Sequence, residues 1–219
     1  MTVPGGGSTR WWWVRHAPIP DAAGRLNGRL DVDCDTSDAS GFAALAGALP
    51  PGAVTVISPL RRTHQTFEAL RAAGAPLDDP RVEPLFVEQS FGRWEGMRWA
   101  EMQTREPDAY AAFWRDPVHN APPDGESFAA QMQRTADAIE RLSTEFEGRD
   151  VVSISHGGTI RAAVAHALAL PPVTAMAIVV DNLTLTRLDR LTDGLLQGAG
   201  PVWRVQMVNG PAGRLPASP

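Results

Sequence analysis

Trp11-Trp12-Trp13-Val14-Arg15-His16 indicates the architecture of this 219-residue chain more clearly than any other segment. Four bulky apolar residues in a row are typical of a short strand that is buried on both faces, and the run ends abruptly at a cation and an imidazole. A similar apolar run occupies residues 54–57, and another occupies residues 151–155 and leads directly into His156. Each buried strand is therefore predicted to place polar side chains at its carboxyl end.

Segments with helical periodicity alternate with these strands. Apolar residues recur every three or four positions in four segments: 36–49, 58–74, 128–146 and 159–170. Gly74 and Gly148 mark the ends of two of them. Residues 85–87 form a further apolar run, read as a strand that ends at Glu88, and residues 183–188 and 203–208 alternate as strands near a sheet edge do.

This alternation predicts an α/β fold with three αβα layers, a mostly parallel sheet and antiparallel strands at its edge. One segment departs from the pattern. From Gly96 to Trp114 the periodicity is helical, but the residues are rich in Trp, Met and Arg. We interpret this segment as a partly exposed helical insertion over the active site, in which Trp99, Met102 and Trp114 are candidates to line a lid.

Length and composition fit a single domain. We expect a flexible leader at residues 1–10, the domain at residues 11–209 and a loose tail at residues 210–219. The net charge of −5 provides no basic footprint for nucleic acid or for an anionic membrane. No apolar run is long enough to span a bilayer, and the only cysteine, Cys34, excludes an internal disulfide. A cytoplasmic location is the resulting expectation, and the oligomeric state is left open.

Side chains with complementary chemistry follow the predicted strands: Arg15, His16, Arg62, Glu88 and His156. In such folds ligands bind beyond the carboxyl ends of the strands, so these groups are predicted to meet there. The planar fork of arginine donates paired hydrogen bonds to phosphate oxygens, and two arginines suit a dianion. Gly157 and Gly158 let backbone amides approach an anion at the start of a helix.

The same groups predict a reaction. Histidine can act as a covalent nucleophile if it is unprotonated, and nearby Arg15 and Arg62 disfavour its imidazolium form. Glu88 is predicted to protonate the departing oxygen and later to take a proton from water. Its apolar approach, residues 85–87, would favour the protonated acid.

Four motifs together resemble the histidine phosphatase superfamily, also called phosphoglycerate mutase-like. Their order along the chain also matches the family: Arg15-His16-Ala17; Ser58-Pro59-Leu60-Arg61-Arg62-Thr63; Glu88 with Phe91-Gly92-Arg93-Trp94-Glu95-Gly96; and Ser155-His156-Gly157-Gly158. The resemblance runs from about Trp11 to Leu170. It implies His16 as the nucleophile, Glu88 as the acid, and Arg15, Arg62, His156 and Gly157 as phosphate-binding residues. It also implies hydrolysis of a small phosphoester without a metal or another cofactor.

Two positions depart from the family pattern. Ala17 stands where glycine is usual, and residues 18–22 lack the hydroxyl and the asparagine with which many members contact phosphate. Asn27 is the candidate substitute. The short chain and the Trp-rich first strand are similar to small bacterial members often compared with α-ribazole phosphatases, but nothing in the sequence selects a substrate.

Three alternatives stay open. A phosphoglycerate mutase on the same scaffold would interconvert 3- and 2-phosphoglycerate, although mutases of the family typically carry longer insertions. A metal hydrolase would use His16, His156 and Glu88 as ligands, but two nearby arginines would repel a dication. A phosphate-binding module without catalysis is suggested by the departures after His16, and a trapped phosphoenzyme would exclude it.

Overall fold

The computed structural model describes residues 7–20, 22, 24–196, 198–200 and 202–211. In these residues six strands form one mixed sheet in the order β3-β2-β4-β1-β5-β6. The strands are β1 (Ser8–Arg15), β2 (Val54–Ile57), β3 (Arg81–Val82), β4 (Asp150–Ser155), β5 (Leu185–Leu191) and β6 (Trp203–Gly210). The parallel strands β1 to β4 and the antiparallel β5 and β6 confirm the predicted sheet.

Helices cover both faces of the sheet. They are α1 (Ala39–Ala48), α2 (Arg61–Ala72), α3 (Trp99–Arg105), α4 (Pro107–Arg115), α5 (Phe128–Glu145), α6 (Gly157–Ala167) and α7 (Pro172–Ala175). Apolar side chains of α1 and α2 pack on one face, and those of α5 and α6 pack on the other. The three predicted αβα layers are therefore present.

The first strand explains how three consecutive tryptophans are accommodated. Side chains alternate across a strand, so Trp11 and Trp13 face α5 and α6 while Trp12 faces α1 and α2. Trp11 and Trp13 stack with ring centroids 5.0 Å apart, and Phe86 packs against Trp13 at 5.0 Å. Both faces of β1 are thus filled, as expected of a central strand.

The register of the sheet brings the strand ends to one level. Arg15 pairs with Ser155 across the parallel β1 and β4, so His16 and His156 leave the sheet side by side. On the other side of β4, Ile57 pairs with Ile154. The residues that follow three neighbouring strands therefore meet at the carboxyl edge of the sheet.

Two predictions of secondary structure need correction. Residues 85–87 are not a strand: Pro84–Phe86 is a 3-10 turn, which the Glu83 side chain caps by accepting from the amide of Leu85. Only Phe86 of this turn is buried, because it packs on the tryptophans of β1. The helix predicted from residue 159 begins at Gly157, so His156-Gly157-Gly158 is a helix start and not a separate turn.

The predicted domain limits also shift. β1 begins at Ser8, so residues 8–10 belong to the sheet and not to a leader. At the other end β6 includes Gly210, the first residue of the predicted tail. The rest of the predicted leader and tail lies outside the described residues, except for Gly7 and Pro211.

The tryptophan-rich segment forms α3 and α4, as the predicted helical insertion requires. Its buried residues Met102 and Phe113 form a small apolar cluster with Leu26 and Trp94, which precede the segment. An isolated bridge between Arg25 and Arg98 ties the insertion to the loop that follows β1. In the described part of the chain, no helix combines the length and the apolar character needed to cross a membrane.

Candidate active site

A cavity of about 480 Å³ lies beyond the carboxyl ends of β1, β2 and β4. Its polar and charged lining consists of Arg15, His16, Arg25, Asn27, Arg62, Glu88, Gln89, Arg161 and Asn182. Four arginines and one carboxylate make this a locally cationic site on an acidic chain. Of the predicted site residues, Arg15, His16, Asn27, Arg62 and Glu88 line the cavity, whereas His156 and Gly157 do not.

His16 is the first residue after β1, and it is 4% exposed. Its Nδ1 lies 2.7 Å from the carbonyl oxygen of Ala17, so Nδ1 carries the proton and Nε2 keeps its lone pair. Burial, followed by the charge of Arg62, lowers the pKa of His16 to about 3. The ring is therefore neutral near pH 7, which is the state that a nucleophile needs.

Contacts from other elements fix the backbone around His16. Its amide donates to the carbonyl of Ser155, and its carbonyl accepts from Nδ2 of Asn182 at 2.7 Å. The amide of Ala17 donates to Oγ1 of Thr66 in α2. Ala17 is fully buried, so the methyl group that replaces the usual glycine is accommodated inside the fold.

Arg62 is almost completely buried, and three of its N–H groups bond to the protein. Nη1 and Nη2 donate to the carbonyls of Leu30 and Gly28 at 2.8 and 2.7 Å, and Nε donates to Nδ1 of His156. A guanidinium has five N–H groups, so two remain for a ligand. Burial lowers the pKa of Arg62 below its ordinary value, although the charges of Glu88 and Asp31 oppose this shift.

Arg15 completes the cationic end of the cavity. Its Nη1 donates to the carbonyl of Val180, and its buried Nε has no partner among the described residues. Burial lowers the pKa of Arg15, and the nearby charge of Arg161 lowers it further, while Glu88 raises it. Arg161 also borders the cavity and is held by the carbonyl of Ile178. An anion entering the cavity would relieve the repulsion between these two arginines.

His156 lies behind His16, with ring centroids 5.2 Å apart, and it is fully buried at the start of α6. Its Nδ1 accepts from Arg62, and its Nε2 lies 2.6 Å from Oγ of Ser58. Burial lowers the pKa of His156 well below its usual value. Both ring nitrogens are thus used within the protein, and direct binding of phosphate by His156 stays a prediction.

The surroundings of Glu88 differ from the sequence prediction. Instead of an apolar setting, the carboxylate meets three N–H donors. Oε1 accepts from Nε2 of Gln131 at 2.7 Å and from the amide of Gln89 at 3.0 Å, and Oε2 accepts from the amide of Gly158 at 3.1 Å. The prediction failed because the chain passes residue 88 as a loop, where polar groups of α5 and α6 reach it.

Gly158 is the glycine that this site requires. A Cβ at this position would lie 2.3 Å from Oε1 of Glu88 and 2.7 Å from Oε1 of Gln131. At Gly157 the nearest side-chain atom would be Nε of Arg15 at 3.5 Å, an ordinary contact. Of the two glycines that the sequence marks, the second therefore lets the carboxylate approach the helix start.

Residues that sequence reasoning missed hold the Glu88 loop in place. Arg134 of α5 donates to the carbonyls of Leu85, Val87 and Glu88 and pairs with Glu126 at 2.6 Å. Arg29 donates to the same Glu88 carbonyl and to the same Glu126. A signal for Gln131 was available, because a polar residue three positions after Phe128 interrupts the buried face of a helix. Neither Arg134 nor Asn182 carries such a signal.

The outer wall of the cavity is apolar and largely aromatic. Trp99 and Trp114 contribute rings whose centroids are 5.5 Å apart. Further apolar side chains around them are Ile19, Leu26, Phe91, Phe113, Phe128 and Met176. The helical insertion therefore covers the site as predicted, with Trp99 and Trp114 in the lining and Met102 buried behind them. Among the described residues no group of three or more His, Cys, Asp or Glu side chains could hold a metal ion.

Comparison with known proteins supports the family that the four sequence motifs resemble. The chain is 32% identical over 169 residues to a glucosyl-3-phosphoglycerate phosphatase of Mycolicibacterium vanbaalenii, a match that covers 72% of this chain and 73% of the relative. It is 27% identical over 188 residues to a 2,3-bisphosphoglycerate-dependent phosphoglycerate mutase of Gloeobacter violaceus, covering 83% and 85% of the two chains.

Other relatives match over less of their length. A bifunctional protein of Mycobacterium tuberculosis is 36% identical over 118 residues, and this match covers 54% of the chain but only 31% of that relative. In its fold, the chain is similar to the crystal structure of a putative α-ribazole-5'-P phosphatase from Escherichia coli. The TM-score is 0.81 at 21% identity, with 95% and 99% of the two chains covered.

The family itself is identified by its sequence model. The model described as histidine phosphatase superfamily (branch 1) matches residues 11–196, which contain all four motifs. The family predicted from the motifs is thereby confirmed, and small bacterial α-ribazole phosphatases are among its structural relatives, as the sequence suggested. This chain belongs to the histidine phosphatase superfamily.

Proposed function

We propose that this protein is a metal-independent phosphomonoesterase that forms a phosphohistidine on Nε2 of His16. One observation carries the proposal: a buried, neutral histidine, whose Nδ1 proton is committed to the Ala17 carbonyl, lines a cavity with four arginines and one carboxylate. This arrangement supplies an unprotonated nucleophile beside a site for a dianion.

In the first step Arg15 and Arg62 bind the phosphoryl oxygens. Nε2 of His16 attacks phosphorus, the P–N bond forms, and the ester P–O bond breaks. Glu88 gives its proton to the departing oxygen, which leaves as an alcohol. The positive charge that develops on the imidazole is stabilised by the Nδ1–H bond to the Ala17 carbonyl.

In the second step water attacks the phosphohistidine. The Glu88 carboxylate takes a proton from the water, an O–P bond forms, and the P–N bond breaks to restore neutral His16 and release phosphate. The net reaction converts one phosphoester and one water into an alcohol and inorganic phosphate. In this scheme His156 positions Arg62, because its Nδ1 accepts the hydrogen bond from the guanidinium Nε.

The lining of the cavity supports a small organic phosphoester as substrate. Aromatic residues form the wall opposite the strand ends, where the leaving group would lie. We therefore expect hydrolysis to favour phosphoesters of apolar alcohols, since an aromatic wall binds them better than small hydrophilic ones.

A mutase is the second candidate, favoured by the match to a phosphoglycerate mutase over most of both chains. It would return the phosphoryl group to a bound phosphoglycerate instead of to water. Incubation with 3-phosphoglycerate distinguishes the two: formation of 2-phosphoglycerate supports the mutase, and release of phosphate without isomerisation supports the phosphatase.

The decisive experiment traps the intermediate. The purified protein is mixed with a radiolabelled phosphoester in the presence of a chelator, quenched in base and separated by electrophoresis. We expect a labelled protein that is stable in base and labile in acid, as a phosphohistidine is. Complete inactivity across a broad panel of phosphoesters, without labelled protein, would contradict the proposal and support a phosphate-binding module.

A further inference from the structure

Gln131 is a fully buried polar side chain in the first turn of α5, and its amide contacts Glu88. Nε2 donates to Oε1 of Glu88 at 2.7 Å, the shortest of the three hydrogen bonds that this carboxylate accepts. The other end of the amide, Oε1 of Gln131, is buried and has no hydrogen-bond partner in the part of the chain that the structure describes.

A buried amide whose oxygen lacks a hydrogen-bond partner lowers the stability of the fold. A buried carbonyl oxygen that loses its water without gaining a partner destabilises the folded state. Methionine has a similar size and would fill the same space without a stranded polar atom. Stability therefore does not explain why residue 131 is a glutamine. The hydrogen bond from its amide to the Glu88 carboxylate does explain it.

The three donors are distributed unevenly over the carboxylate. Oε1 accepts two hydrogen bonds, from Gln131 and from the amide of Gln89, which use both of its lone pairs. Oε2 accepts one, from the amide of Gly158. Among the contacts of the described residues, the single acceptor position that remains for a proton is on Oε2.

On the basis of the phosphatase reaction proposed above, we propose that Gln131 is a positioning residue that occupies Oε1 of Glu88 and so directs the exchanged proton to Oε2. Without the amide, Oε1 gains a protonation position on the side of α5. A hydrogen bond to a carboxylate favours its charged form, so loss of the Gln131 amide favours the protonated acid, with part of the proton on the oxygen beside α5.

Other charged and titratable groups also face Glu88. Arg15 and Arg62 lie across the cavity, Arg29 and Arg134 bind its main-chain carbonyl, Glu126 pairs with those two arginines, and His16 and His156 are neutral. None of these groups is removed when only residue 131 is changed. A difference in the pH profile therefore reports the loss of the Gln131 amide.

The test compares wild type with Gln131→Met and with Thr135→Val. Thr135 is a matched control, because it lies one turn further along α5 and is fully buried. Among the residues that the structure describes, its hydroxyl has no partner and makes no hydrogen bond to Glu88. For Gln131→Met we expect kcat/KM for phosphoester hydrolysis to fall roughly 10-fold and the alkaline limb of its pH profile to move up by about one pH unit. Its Tm should equal or exceed that of wild type.

A second variant covers the case in which Gln131→Met does not fold. Gln131→Glu keeps the shape of the side chain but puts a second carboxylate beside Glu88, so the pair shares a proton and the alkaline limb should again move up. If a folded variant retains the wild-type limb, or if Thr135→Val shifts the limb equally, the inference is wrong. Inactive wild type without a phosphoenzyme would instead overturn the phosphatase reaction itself.

Discussion

The two walls of the cavity are built in opposite ways. The inner wall stands at the ends of β1, β2 and β4, and His16 and Arg62 are buried there with hydrogen bonds to several other elements. The outer wall includes Trp99 and Trp114 of α3 and α4, which pack in a small separate apolar cluster, and Trp114 is 45% exposed. Under the proposed function, we expect the residues at the strand ends to carry out the chemistry and the insertion to select the leaving group.

The largest effect should come from the inner wall. For His16→Ala we expect hydrolysis to fall by roughly 10⁴-fold or more and the trapped phosphoenzyme to disappear, because the atom that forms the P–N bond is gone. His119→Ala serves as the control, since His119 is exposed and bonded to Asp116 outside the cavity. Both variants are measured by steady-state rates and by the trapping assay. A comparable loss of hydrolysis and of phosphoenzyme in His119→Ala would contradict the assignment of His16 as the nucleophile.

A smaller and more selective effect should come from the outer wall. For Trp114→Ala we expect kcat/KM to fall roughly 10-fold for 2-phenylethyl phosphate but less than about 2-fold for ethyl phosphate. These substrates have leaving groups of similar basicity, so their ratio reports binding of the ring. Val179→Ala, at an exposed residue outside the cavity, is the control. Equal losses for both substrates would contradict the division between the walls.

The smallest effect should appear in stability. His16 and His156 are buried in the neutral form, and the pKa of His16 is lowered from 6.5 to about 3. Below pH 6.5 the unfolded chain therefore binds protons that the folded chain does not, and unfolding becomes easier as the pH falls toward 3. We expect each of these residues to contribute about 1 kcal/mol per pH unit below pH 6.

Thermal unfolding between pH 7 and pH 5 measures this loss. In this range ordinary carboxylates stay ionised, so the slope of Tm against pH is dominated by histidines. In His16→Gln the slope should be shallower than in wild type. An unchanged slope would mean that His16 is not held neutral by the fold.

The sequence predicted which residues stand at the strand ends, for a physical reason. Buried strands such as residues 11–15 and 151–155 carry unmistakable apolar runs, and the parallel arrangement brings their ends together. His16, Arg62 and Glu88 were therefore placed correctly at the cavity. The sequence shows Ala17 as a departure from the family pattern, but no sequence signal marks its carbonyl as the partner that orients the His16 ring.

The sequence pattern does not predict side chains that act through contacts between distant parts of the chain. Arg134 binds three carbonyls of a loop some 47 residues away, and no local pattern encodes that contact. Residues 85–87 were read as a strand because three apolar residues in a row fit strand and turn equally well. For Asn27 the structure places the residue in the lining of the cavity, and its contact with phosphate remains a prediction.

The position of β1 in the middle of the sheet has a consequence for the time course of catalysis. Paired with β4 on one side and β5 on the other, this strand should exchange its amide hydrogens only when the whole domain unfolds, whereas α3 and α4 can open locally. A phosphoryl group attached to His16 would thus lie directly after a strand that is paired on both sides. The lifetime of the phosphohistidine would then depend on how often α3 and α4 open to release the alcohol and to admit water.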